Sequence, residues 1–165
     1  MLYKITGTKT KLFLIAVVLA FFGASRVSAL SVGAEITGGL PLFYGGSVLV
    51  STSDMHHFGL GAVAKGGEPV LTAHWDTRLF EHPLSETSSG SIRFFMGPGL
   101  ATAFLLRGSF SMSFSLRSTV GFDFDFQTFA VFVQLASEVG AVLHPWSFPT
   151  WSAGAAVGAR WRIGK

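Results

Sequence analysis

Met112-Ser-Phe-Ser-Leu-Arg-Ser-Thr-Val-Gly-Phe-Asp-Phe-Asp-Phe126 alternates for fifteen residues. Met112, Phe114, Leu116, Ser118, Val120, Phe122, Phe124 and Phe126 fall on one parity; Ser113, Ser115, Arg117, Thr119, Gly121, Asp123 and Asp125 fall on the other. In an extended chain successive side chains point to opposite faces, so this is a β-strand with one greasy aromatic face and one polar or small face. The pattern recurs at the end of the chain. Ala153, Ala155, Val157, Ala159, Trp161 and Ile163 oppose Gly154, Ala156, Gly158, Arg160 and Arg162. Leu71, Ala73, Trp75 and Leu79 oppose Thr72, His74, Asp76 and Arg78, and Leu30, Val32, Ala34 and Ile36 alternate with Ser31, Gly33, Glu35 and Thr37.

Turn residues divide the chain into eight such segments, 30–37, 42–50, 56–65, 68–80, 91–104, 112–126, 129–144 and 151–163. Gly38-Gly39, Ser51 to Asp54, Lys65 to Glu68, the polar run Pro83 to Gly90, Arg107-Gly108, Gln127-Thr128 and Pro145 to Pro149 are the expected breaks. Segment 42–50 has no clear parity. An even strand number without helical segments predicts an all-β, eight-stranded antiparallel up-and-down transmembrane β-barrel. Its interior is narrow enough for side chains to fill.

Residues 1–29 have the layout of a cleaved signal peptide: Lys4, Lys9 and Lys11, the apolar run Leu12 to Phe22, then Val27-Ser28-Ala29. That run is too short to cross the ~30 Å hydrocarbon core as a helix. The expected barrel domain is 30–165. Beyond Ala29 the chain holds eight Lys/Arg and nine Asp/Glu in 136 residues, so the basic balance belongs to the leader. A basic nucleic-acid surface is excluded on that ground. The 17 charges are about half the share of a soluble domain. The chain has no cysteine and hence no disulfide framework.

The orientation of the two faces follows from their chemistry. Gly, Ala and Ser suit a narrow lumen, whereas Trp75, Phe122, Phe124 and Trp161 suit a lipid-facing belt. The polar-face charges nearly balance: Lys65, Arg78, Arg93, Arg117, Arg160 and Arg162 against Glu35, Asp76, Asp123, Asp125 and Glu138. Buried charges need partners, so a closed polar core requires such a balance. Arg117, Gln134, Glu138, Arg160 and Arg162, on three consecutive strands, are expected to form a lumenal network that fills and pins the core.

Ala156-Val157-Gly158-Ala159-Arg160-Trp161-Arg162-Ile163 resembles the terminal signal of outer-membrane barrels, with Gly158, Trp161 and Ile163 as its glycine and outward hydrophobic positions. Phe114 to Arg117, Phe129 to Gln134, His74-Trp75-Asp76 and Phe95 to Gly99 are similar to strand motifs of small outer-membrane barrels of diderm bacteria, of the size of the OmpX and OmpW groups and the OmpA transmembrane domain. That resemblance covers 68–163. It implies residence in the outer membrane after export, contact with outer-membrane lipid and recognition by the barrel-assembly machinery. An even strand number goes with both termini in the periplasm, so connections near 38–41, 66–67, 105–111 and 145–150 are expected to face outside and those near 51–55, 81–90 and 127–128 the periplasm.

Three function classes follow. A structural or surface-interaction barrel without catalysis is expected, with no cofactor and an unidentified surface ligand. A narrow conduit or a binding site for a small hydrophobic molecule is the first alternative. A lipid-modifying enzyme is the second, and would rest on His144 and Ser147, for which no positioned acid is evident. His56, His57, His74, His82 and His144 show neither HxH nor HExxH spacing, so no metal site is expected.

Overall fold

The computed structural model describes residues 30–105, 111–144 and 146–163; the leader, the Arg107-Gly108 turn and Pro145 lie outside them. Nine strands follow in order: β1 Leu30–Leu40, β2 Phe43–Ser51, β3 His56–Lys65, β4 Glu68–Thr77, β5 Phe80–Thr87, β6 Gly90–Leu105, β7 Ser111–Phe126, β8 Phe129–His144 and β9 Trp146–Ile163. β4 pairs with Gly99 to Leu105 of β6 and β5 with Gly90 to Met96 of the same strand. They are two halves of one strand broken at Arg78-Leu79, and the count round the ring is eight. All pairings are antiparallel, and β1 pairs with β9 to close the sheet. Closure leaves the sheet body without the free edges on which another chain could pair.

The strands wind round the axis with a definite stagger. From Ser31, successive partners are Ser51, His57, Asp76, Gly99, Arg117, Glu138 and Ser152. Ser152 precedes Ala153, the partner of Leu40, so one circuit returns to β1 ten residues further on. A shear of this size goes with strands tilted by about 35–45° to the barrel axis.

The barrel is inside out. Among the described residues 13 polar or charged side chains are buried against six apolar ones, while Ile36, Leu60, Leu116, Leu135, Val139 and Val157 stand exposed. On β7 every Arg, Asp and Thr of the polar parity turns inward and Phe114, Leu116, Phe122 and Phe126 turn outward. Such an apolar belt demands lipid rather than water. Tyr44, Trp146, Phe148 and Trp151 ring one end of it; Phe80, Phe94, Phe122, Phe126, Phe129 and Trp161 ring the other, with Phe126, Phe129 and Trp161 stacked in series at 4.9 and 5.9 Å. The second girdle lies at the end that carries both termini, called here the terminus end. The turns at 41–42 and 66–67 mark the far end. Gly66 and Gly67, at φ 60° and 84°, make the two-residue turn whose twist matches a hairpin.

Four breaks fall elsewhere than expected, one being the interruption at Arg78-Leu79 inside the segment 68–80. β1 continues through Gly38-Gly39 to Leu40, β9 begins at Trp146 rather than 151, and the polar run from Pro83 is strand as far as Thr87, leaving Ser88-Ser89 as the turn. β5 is exposed along its length and has β6 as its partner, with a bulge between Pro83 and Ser85. No alternation arises there because neither face is buried. On β2 the expected parity is blurred because apolar Leu49 points into the lumen at 5% exposure, alongside Ser47 and Ser51, while Val48 points out.

Candidate functional site in the barrel lumen

The inward positions form a stack of charged layers. At the terminus end Arg162, on β9, forks onto Asp125 of β7, donating to Oδ1 at 2.9 Å, and also donates to the Gln127 carbonyl at 2.8 Å. One layer deeper Asp123 accepts from two arginines. Arg78 grips it with both terminal nitrogens, and Arg160 donates from Nη2 at 2.6 Å. The Arg78 guanidinium lies 3.8 Å from the centre of the Phe95 ring, which is 1% exposed. Arg78 comes inward from the break between β4 and β5, where its backbone N–H donates to the Met55 carbonyl at 2.9 Å.

His57 closes this layer. Its Nε2 lies 3.1 Å from the Asp54 carbonyl, which can only accept, so Nε2 donates and Nδ1 is the acceptor. Ser51 Oγ at 2.6 Å and Arg160 Nη1 at 3.0 Å are the donors to Nδ1. His56, the neighbour of His57 in sequence, packs against Trp75 on the opposite face at 5.9 Å between ring centres.

The next layer is rich in acids. Arg117 donates from Nε to Asp76 at 2.9 Å and from Nη1 to Glu138 at 2.7 Å, and Ser152 donates to the other oxygen of Glu138 at 3.2 Å. Glu35 accepts from Ser47 at 3.1 Å and from Gln134 at 3.3 Å. His74 stands between two acids, its Nε2 3.6 Å from Glu35 and 3.9 Å from Asp76. Its ring lies on Gly59, where a Cβ would collide with it, so this glycine is required by close approach. Phe95 over Gly121 and Phe132 over Gly158 repeat the arrangement.

Above that layer the lumen widens into a vestibule at the far end, a cavity of about 170 Å³. Thr37, Thr72, Thr102, Ser113, Ser115 and Ser152 supply hydroxyls to its wall, and Glu35, His74, Arg117 and Glu138 form its floor. A smaller void, among Arg78, Arg160, His57 and Gln134, is about 20 Å³, room for a single water.

Of the five lumenal residues expected from sequence, Arg117 and Glu138 meet directly as register partners. The other three do not join them. Gln134 reaches Glu35 on β1, Arg160 reaches Asp123 and Arg162 reaches Asp125. Glu35, His57, His74, Asp76, Arg78 and Asp123 complete the stack; their inward parity was readable, their cross-lumen partners were not. Gly158 sits on the lumen side under the Phe132 ring, and Trp161 and Ile163 face outward. Ser147 is exposed at the far-end rim, and the side chain of His144 lies outside the described ones.

These features place the chain beside known barrels. The crystal structure of the N-terminal β-barrel domain of Pseudomonas aeruginosa OprF superposes with a TM-score of 0.50 at 15% identity, covering 81% of this chain and 97% of that one. The fold is that of an outer-membrane β-barrel. A de novo designed transmembrane β-barrel aligns over 84% of this chain and 98% of its own at 10% identity, with a TM-score of 0.45. No protein-family profile and no curated protein matches the sequence.

Proposed function

We propose that this chain is an integral outer-membrane protein, exported with residues 1–29 as a cleaved leader, whose barrel is sealed and whose role is structural or one of surface interaction, without catalysis. The observation that carries this reading is the lumen itself. Two successive layers, Arg78–Asp123–Arg160 and Asp76–Arg117–Glu138, cross it with paired charges and leave about 20 Å³ between them. A hydrated solute passing through would have to part buried ion pairs, each costing about 3–5 kcal/mol when one partner is left alone.

The termini would lie in the periplasm and the vestibule would open outside. The outward Trp161 and Ile163 are offered to the assembly machinery, and the two aromatic girdles to the lipid interfaces. The sealed reading is tested by reconstituting the protein in planar bilayers. It predicts no unitary conductance, with folding verified by faster gel migration unheated than boiled. Discrete channel openings from a heat-modifiable preparation would refute the seal, and loss of heat-modifiability in an extracted membrane protein would refute the barrel.

A further inference from the structure

We infer that the far-end vestibule is a binding site for a small organic cation, an alkylammonium group carried on a short body. The inference goes beyond the sealed-barrel reading and takes from it the vestibule's opening to the outside. The cavity is of the size that holds a small ring or a short chain, since an engineered cavity of about 150 Å³ accepts benzene. Its wall is mixed, with Phe43, Val63, Val70 and Val142 giving apolar surface beside the hydroxyls, which suits a ligand that joins a carbon chain to a polar head. Thr37, Thr72, Thr102, Ser113 and Ser115 line it with hydroxyls, between alanines at 73, 101, 103 and 136.

The floor determines the sign of the ligand. The layer at the floor holds three acids, Glu35, Asp76 and Glu138, to one arginine, Arg117, while in the layer beneath it Arg78 and Arg160 are matched by Asp123 and by Glu81, which lies 3.6 Å from Arg78. The field of the lumen therefore runs along its axis with the negative end turned toward the vestibule, and low-dielectric walls focus such a field. Lys65 also lines the cavity, but exposed at its mouth: its partner on β2 is Phe43, four residues from Ser47, the partner of Glu35.

Two floor groups have capacity to spare. Glu138 receives one hydrogen bond on each oxygen, from Arg117 and Ser152, and its side chain is 25% exposed from an inward-facing position, so its open side is the cavity. His74 lines the cavity with its side chain 8% exposed, and its nearest carboxylate oxygen, on Glu35 at 3.6 Å, is beyond hydrogen-bond distance. A buried imidazole in that state calls for a partner from within the cavity. An ammonium group seated between Glu138 and Glu35 would offset part of the floor's acidity, and its carbon chain would lie along Ala101, Ala103 and Ala136.

The test is calorimetric titration of the folded protein in non-ionic detergent at fixed salt. Size-matched probes are 1,4-diaminobutane, neutral 1,4-butanediol and anionic succinate. Saturable binding is expected for the diamine alone. Glu138→Gln should weaken it about 10-fold or more, and Ser113→Trp, which fills the cavity, should abolish it. Amide NMR of the wild-type barrel needs no variant: diamine-induced shifts should gather at Ala101, Ser115, Ala136 and Glu138. Equal binding of the diol or succinate, no saturable diamine heat, full affinity in a heat-modifiable Ser113→Trp barrel, or shifts confined to exposed turns would each overturn the inference. A barrel that is heat-modifiable and non-conducting yet ignores the diamine loses this inference alone.

Discussion

The two halves of the lumen are built from the same residue types to opposite ends. Toward the termini two arginines converge on Asp123, aromatic rings of Phe95 and Phe132 close in over glycines, and almost no space remains. Toward the far end three acids share Arg117 beneath a wall of Ser, Thr and Ala, and a cavity opens. The difference teaches that near-neutral lumen charge does not by itself fill a barrel. Side-chain volume does: Phe95 and Phe132 both cross the terminus half, whereas among the described residues of the far half Phe43 alone lies over a glycine, Gly154, beside small side chains. The packed half is expected to carry stability and the seal; the open half is free to carry recognition.

That division predicts an order of effects. Asp123→Ala should be the most damaging single change in the lumen, since it leaves Arg160 without an acid and Arg78 with only Glu81, 3.6 Å away. A loss of about 3–5 kcal/mol is expected in denaturant unfolding followed by Trp fluorescence. An effect smaller than that of Glu138→Gln would break the comparison. Next comes Gly158→Val, which drives a branched side chain into the Phe132 ring and the Ala34 carbonyl. About 1–3 kcal/mol should be lost, with slower appearance of the fast-migrating gel form.

Glu138→Gln should cost about 1–2 kcal/mol, because Asp76 still accepts from Arg117 at 2.9 Å. Ser152→Ala removes one neutral donor beside the cavity and should cost about 1 kcal/mol or less. Conductance sharpens the same contrast. The double variant Asp123→Ala with Arg160→Ala should admit measurable current in planar bilayers, whereas Glu138→Gln with Ser152→Ala should stay closed. Reversal of that pair would place the seal in the acidic layer instead.

The fold was legible wherever one face of a strand meets lipid and the other meets the lumen. β7 is the clearest case, since Arg117, Asp123 and Asp125 interleave with Phe114, Phe122 and Phe126 without a slip. Legibility fails where that two-sided contrast is lost. β5 has both faces exposed and Pro83 at its edge, so FEHPLSET lacks any period; Pro at a sheet edge is tolerated because its missing N–H need not face a partner. On β2, inward Leu49 is as apolar as outward Val48, and the smallness of the neighbouring glycines hides which side they face. The shift of β9's start from 151 to Trp146 has the same origin, for Trp146 and Phe148 share a parity but Ser147 and Pro149 oppose them on an exposed rim.

By itself the order of residues determined strand number and, on the strands that alternate, the face each side chain takes, because a two-residue period depends on nearest neighbours along one chain. Only the closed ring decided that Gln134 meets Glu35, that Arg160 and Arg78 share Asp123 and that a cavity stands above Arg117. Those meetings depend on the ten-residue stagger accumulated over a full circuit, and on groups reaching across the lumen from positions as far apart as 103 residues in sequence. Period fixes inward or outward; depth and opposite number are properties of the whole circumference.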